Sequence, residues 1–205
     1  AESAKFLWLI YTALTLACVI SYFLAGMNFF DAVCHAFSTV AIGGFSTHDQ
    51  SFQYFDLTSI KLVAIFFMIV SGVNFALHFS VLKRRNPFLY LADAEVRAYF
   101  LILLLVSLFL VVVFQFRQSD SDADFIDHLF QAVSFATTTG FVSSELYLWP
   151  PIAQVVLILA AFAGGCAGST AGGIKIIRVL TIWRQGAREI KRLVHPNGVF
   201  HVKVG

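Results

Sequence analysis

Two short stretches carry the residue types with the clearest chemistry. Residues 136–141 read ATTTGF, and residues 39–45 read TVAIGGF. Glycine gives the backbone torsions that other residues avoid, and threonine adds a hydroxyl oxygen. Peptide carbonyls brought together can replace the water shell of a weakly hydrated monovalent cation. Neither stretch holds the carboxylates that would suit a divalent ion. In the first stretch the side chains are apolar, so its oxygens come mainly from the backbone. The candidate ion-coordinating residues are Ala41, Ile42, Gly43 and Gly44 in one stretch, and Thr137, Thr138, Thr139 and Gly140 in the other.

The elements that must position these residues follow from composition. The 205 residues are 59% hydrophobic and 13% charged, with 23 Phe, and the mean hydropathy is +0.80. A soluble domain is nearer one quarter charged, so this is the composition of an all-α integral membrane protein. A net charge of +2 gives no reason to expect a nucleic-acid partner. Cys18, Cys34 and Cys166 lack metal-ligand spacing and suggest no disulfide framework; each reads as a small packing residue. The first apolar run is too long for a signal-peptide core, and no suitable cleavage site follows it. A spanning helix needs about 20 apolar residues. Four stretches qualify: Phe6–Met27, Leu57–Leu82, Ala98–Phe116, and one that starts near Pro151. Lys5, the run Lys83, Arg84 and Arg85, and the series Lys175, Arg178, Arg184, Arg188, Lys191 and Arg192 mark the cytoplasmic ends. The opposite face carries Asp31, Asp49, Asp56, Asp120, Asp122, Asp124, Asp127 and Glu145.

Two segments fit no span-loop-span pattern. They are FFDAVCHAFSTVAIGGFS (29–46) and FIDHLFQAVSFATTTGFV (125–142). A shift of 96 residues sets Asp31 on Asp127, Ala36 on Ala132, Ser38 on Ser134, Gly44 on Gly140 and Phe45 on Phe141, with no gap. A match at fixed period points to internal duplication. Each segment opens with an acid, suited to a helix N-terminus, and is too apolar for a water-facing helix yet too short to span. That is the profile of a re-entrant helix. The expected organisation is a first repeat over 1–85, a second with an interrupted inner helix over 86–183, and a basic cytoplasmic segment over 184–205. Each repeat reads as span, short re-entrant helix, polar glycine-bearing loop and span.

The residues STVAIGGFSTHD (38–49), SFATTTGF (134–141), GGCAGSTAGGIK (164–175) and REIKRLVHPNGV (188–199) together resemble the Trk/Ktr/HKT-type potassium transporters, in particular their bacterial Trk branch. The resemblance covers essentially the whole chain. It implies a pore of four potassium-channel-like repeats, each with outer helix, pore helix, filter loop and inner helix, of which this chain matches the second and third. The remaining two repeats are then partners that the pore requires. The resemblance also implies K+ as the transported ion, a homodimer, a location in the bacterial inner membrane with the filter loops opening outward, and a cytosolic nucleotide-binding regulatory ring. The chain itself has no phosphate-binding motif, so nucleotide sensing must come from that partner. The basic segment is also suited to rest on anionic membrane lipids.

Residues 164–173 hold five glycines in ten. Each glycine costs a helix about 1 kcal/mol relative to alanine, so the fourth span is expected to break there. Close helix packing through small residues needs only two or three glycines at four-residue spacing. By resemblance to the Trk family the break is an intramembrane gate built from Gly164, Gly165, Gly168, Ser169, Thr170, Gly172, Gly173 and Lys175. Ser169 and Thr170 can satisfy exposed backbone groups. Lys175 reads equally as an electrostatic barrier to cations or as an inside-facing anchor. His35, and the pair Asn74 and His78 one helical turn apart, are expected to pack and hydrogen-bond. Asp120, Asp122 and Asp124 either concentrate cations at the outer mouth or form a solvated loop. Ser46, His48 and Asp49 lack an oxyanion-site pattern, and no enzymatic activity is expected. The competing class is a secondary transporter binding a small substrate at a discontinuous helix. The two repeats run in the same orientation, which favours the pore.

Overall fold

The computed structural model describes residues 2–116 and 124–194. Regular structure among them is helical: α1 (Glu2–Leu24), α2 (Phe29–Val40), α3 (Thr58–Ser71), α4 (Phe75–Arg84), α5 (Phe88–Ala92), α6 (Ala94–Phe116), α7 (Phe125–Ala136), α8 (Pro151–Ala163) and α9 (Ile176–Val194). α1 and α6 are long and apolar enough to cross a membrane, as the first and third stretches require. Their outward faces carry bare apolar side chains, with Trp8 72% and Leu104 63% exposed, as contact with lipid demands.

The short helices α2 and α7 occupy the two duplicated segments. Each has 12 residues, about 18 Å of helix at 1.5 Å per residue, well short of a 30 Å hydrocarbon core. Each starts at a polar cap. The Asn28 side chain accepts the Asp31 N–H at 2.8 Å, and the Asp127 carboxylate accepts the Asp124 N–H at 3.3 Å. Of the three acids proposed for the outer mouth, Asp124 therefore sits at the head of α7; Asp120 and Asp122 lie outside the described residues. The aromatic core ties the repeats together. Phe52, fully buried after the first loop, packs 5.1 Å from Phe130 and 4.5 Å from Phe141 of the second repeat.

The second stretch is not one continuous helix. α3 and α4 meet at a bend of 90°, with only Gly72, Val73 and Asn74 between them. A helix end leaves its last carbonyls without partners, and here each finds one elsewhere. The Tyr99 hydroxyl donates to the Ile69 carbonyl at 3.1 Å. His78 Nε2 donates to the Val70 carbonyl at 3.0 Å. Thr170 Oγ1 reaches the Ser71 carbonyl at 3.3 Å, and the Cys166 N–H reaches the Gly72 carbonyl at 2.9 Å. A Cβ on Gly72 would lie 2.3 Å from the Tyr99 hydroxyl, so any larger residue must displace that side chain. Asn74 caps α4 through the Ala76 N–H, and His78 also pairs with the Tyr90 hydroxyl at 2.7 Å. Both polar residues pack as expected, but at a bend. The fourth stretch breaks after Ala163, and α9 runs unbroken across positions 183 and 184.

Candidate functional site

The two loops that follow α2 and α7 share one backbone conformation. Ala41 and Thr137 close the helices with φ −74° and −80°. Ile42 and Thr138 then turn left-handed, with φ 54° and 68°, and Gly44 and Gly140 do so again at 71° and 86°. Left-handed backbone at β-branched residues costs about 1–3 kcal/mol and persists only where the surroundings enforce it. Matching bonds enforce it here. The Gly43 N–H reaches the Ser38 carbonyl at 2.7 Å, and the Thr139 N–H reaches the Ser134 carbonyl at 2.8 Å.

The loops touch each other. A Cβ on Gly44 would stand 2.0 Å from the Thr139 carbonyl oxygen. Ser51 and Gln53 bond Val142 at 3.2 Å each, holding the segments beyond the loops together. Among the described residues, none donates a hydrogen bond to the carbonyls of residues 41–44 or 137–140. The threonine hydroxyls are otherwise engaged. Thr137 Oγ1 contacts the Val133 carbonyl at 2.8 Å and Thr139 Oγ1 at 2.7 Å. Thr138 Oγ1 accepts the Gly172 N–H at 2.7 Å. The oxygens without protein partners are thus backbone carbonyls in both loops, where threonine hydroxyls were expected to help in the second.

The glycine-rich stretch lies directly against both loops. Thr170 Oγ1 donates to the Val40 carbonyl at 2.8 Å, at the end of α2, while Gly172 bonds Thr138 beyond α7. Its neck is closed: a Cβ on Gly164 would lie 2.3 Å from the Gly172 carbonyl oxygen and 3.0 Å from Gly173. The Ile174 N–H bonds the Phe162 carbonyl at 3.0 Å. This is a compact loop with joined ends. Ser169 Oγ bonds the Cys166 carbonyl at 2.6 Å, and the Lys175 ammonium donates to the Ala171 carbonyl. Both therefore bond backbone within the loop. Gly165 and Gly168 pack against Ala171 and Asn74 respectively.

Beyond the loops, a polar network surrounds Asp31. Its carboxylate accepts from Thr47 Oγ1 at 2.5 Å and meets His48 Nε2 at 3.0 Å. His35 donates from Nδ1 to the Asp31 carbonyl at 2.8 Å and accepts from Ser46 Oγ at Nε2, 2.9 Å. Ser46 and His48 thus bond His35 and Asp31. No group of three His, Cys, Asp or Glu among the described residues could hold a metal ion. In the second repeat Asp127 instead pairs with Lys61 of α3 at 2.7 Å, both nearly buried. Lys61 and Glu95 were not singled out from sequence. A lone charge within an apolar run was the available signal for Lys61.

Comparison with known proteins agrees with this fold. The family model for TrkH, described as a cation transport protein, matches residues 1–205. The chain is 46% identical to the Trk system potassium uptake protein TrkH of Escherichia coli K12, over its full length but only 43% of that protein. It is 49% identical to the TrkH of Vibrio parahaemolyticus, again over 43% of the relative. The crystal structure of the potassium transporter TrkH from Vibrio parahaemolyticus superposes with TM-score 0.91 at 48% identity, covering all of this chain and 44% of that one. The chain therefore spans less than half the length of the relatives it matches. Across all 205 residues, it belongs to the TrkH family of cation transport proteins.

Proposed function

We propose that the chain supplies two of the four filter repeats of a pore that takes up K+ across the bacterial inner membrane. The ion is coordinated by the carbonyls of Ala41–Gly44 and Thr137–Gly140, and flow is controlled by the loop over residues 164–173. The observation that carries the reading is the pair of touching loops with one conformation and eight carbonyls that receive no donor among the described residues. Such carbonyls at membrane depth need water or a cation. The relatives are named for potassium uptake, which favours K+ as the cargo. The loop over 164–173 bonds the last residue of α2, just before one candidate filter stretch, and Thr138 in the other, so its displacement is felt at the ion path. The basic second half of α9, with Arg188, Lys191 and Arg192, faces the cytosolic regulatory partner, and a homodimer of the complete chain is the assembly. In the complete protein, Gly140→Ser should weaken discrimination of K+ over Na+. Unchanged discrimination in uptake assays, at normal insertion, overturns the filter assignment.

A further inference from the structure

One carboxylate bonds both the glycine-rich loop and the helix that follows it. Glu95 Oε1 accepts the Ala167 N–H at 2.6 Å and the Ile177 N–H at 3.1 Å. The first donor lies within the loop. The second lies just beyond it, in the first turn of α9, where helix N–H groups lack intrahelical partners. Glu95 is only 8% exposed. It stands in the first turn of α6, whose start is fixed by Asp93 accepting the Glu95 and Val96 N–H groups at 2.9 and 3.0 Å. A buried carboxylate is costly unless hydrogen-bonded. This one draws its partners from the loop and from the positive end of α9. Next to Ala167, the Cys166 N–H is held by the Gly72 carbonyl at 2.9 Å. The entry arm of the loop is thus pinned between the bend of the first repeat and the base of α6.

We infer that Glu95 is a positioning residue that holds the loop in its closed arrangement, by bonding both its entry arm and the start of α9. The inference rests on the reading of 164–173 as the gate, and adds the group that keeps it shut. Both bonds end on a single oxygen, so the decisive property is an acceptor at that place rather than charge. Gln retains such an oxygen. Asp, one methylene shorter, withdraws it, and Ala removes it.

The test uses the full-length protein reconstituted in vesicles under conditions where the parent is mostly closed. Potassium flux per inserted protein is measured for Glu95→Gln, Glu95→Asp, Glu95→Ala and the deletion of 164–173. In parallel, maleimide labelling of Cys166 is timed in a background with the other cysteines replaced. Cys166 is fully buried, so its labelling reports release of the loop independently of flux. Ala and Asp should raise flux about tenfold, the factor carried by about one net hydrogen bond, and speed labelling similarly, while Gln stays within about twofold of the parent. Slow labelling and parental flux in Glu95→Ala, beside an open deletion variant, overturn the role of Glu95 and leave the gate standing. Fast labelling of Cys166 in Glu95→Ala, with parental flux in both Glu95→Ala and the deletion, overturns the gate instead. A Gln variant as open as Ala overturns the acceptor argument.

Discussion

Gly44 and Gly140 occupy equivalent places in the two loops, yet they are glycine for different reasons. Both have left-handed backbone. Only Gly44 lies against the neighbouring loop; a Cβ on Gly140 meets nothing within 4 Å. Gly140→Ala should therefore cost about 1–2 kcal/mol of backbone strain, whereas Gly44→Ala must also push back the Thr139 peptide and should cost more than about 3 kcal/mol. Thermal unfolding of the purified complete protein checks the order; equal losses would mean the loops part easily. The buried Lys61–Asp127 pair makes a second case. Removing one partner of such a pair typically costs about 3–5 kcal/mol, while replacing both can be nearly neutral. Lys61→Met should thus lower thermal stability more than Lys61→Met combined with Asp127→Leu. If the double variant is the weaker one, the pair contributes net stability.

Elements were legible in the sequence where the signal was local. The helices α2 and α7 lie within the two duplicated segments, because a gapless repeat aligns their caps, their three apolar turns and their left-handed residues at once. The break after Ala163 was legible because glycine density acts through the chain itself. The bend between α3 and α4 was not. One glycine is a weak local signal, and the groups that hold the bend come from Tyr99, Cys166 and Thr170, far along the chain. Glu95 was missed for the same reason, since its two bonds reach residues 167 and 177. The bend predicts a specific pair of variants. Gly72→Ala should destabilise the protein through its clash with the Tyr99 hydroxyl, and adding Tyr99→Phe should recover part of the loss. Failure of the second change to help, in the same unfolding assay, would mean that the ring contact or the lost bond to the Ile69 carbonyl outweighs the clash relieved.

At the scale of the whole molecule, the two repeats are alike in their re-entrant halves and unlike in their inner helices. The first is interrupted by three residues, Gly72–Asn74, the second by the stretch from Gly164 to Lys175. The long interruption bonds the end of α2 and the loop after α7, which is why one loop suffices for control in the proposed function. Charge acts at this scale too. If Asp120, Asp122 and Asp124 draw cations to the outer mouth, neutralising all three should raise the K+ concentration for half-maximal uptake at low salt. The change should fade near 0.1 M, where screening acts within about 10 Å; an effect equal at both salt concentrations would assign these acids a structural role. The bend in the first inner helix also bears on biogenesis. Three of the groups that satisfy its freed carbonyls belong to residues 99, 166 and 170, which leave the ribosome after the bend itself has been made. Until they arrive, a kinked backbone within lipid would strand several carbonyls, so the nascent segment 58–84 is expected to enter the membrane straight. On that order the bend should form only when the second repeat packs against it, completed by residues made after it.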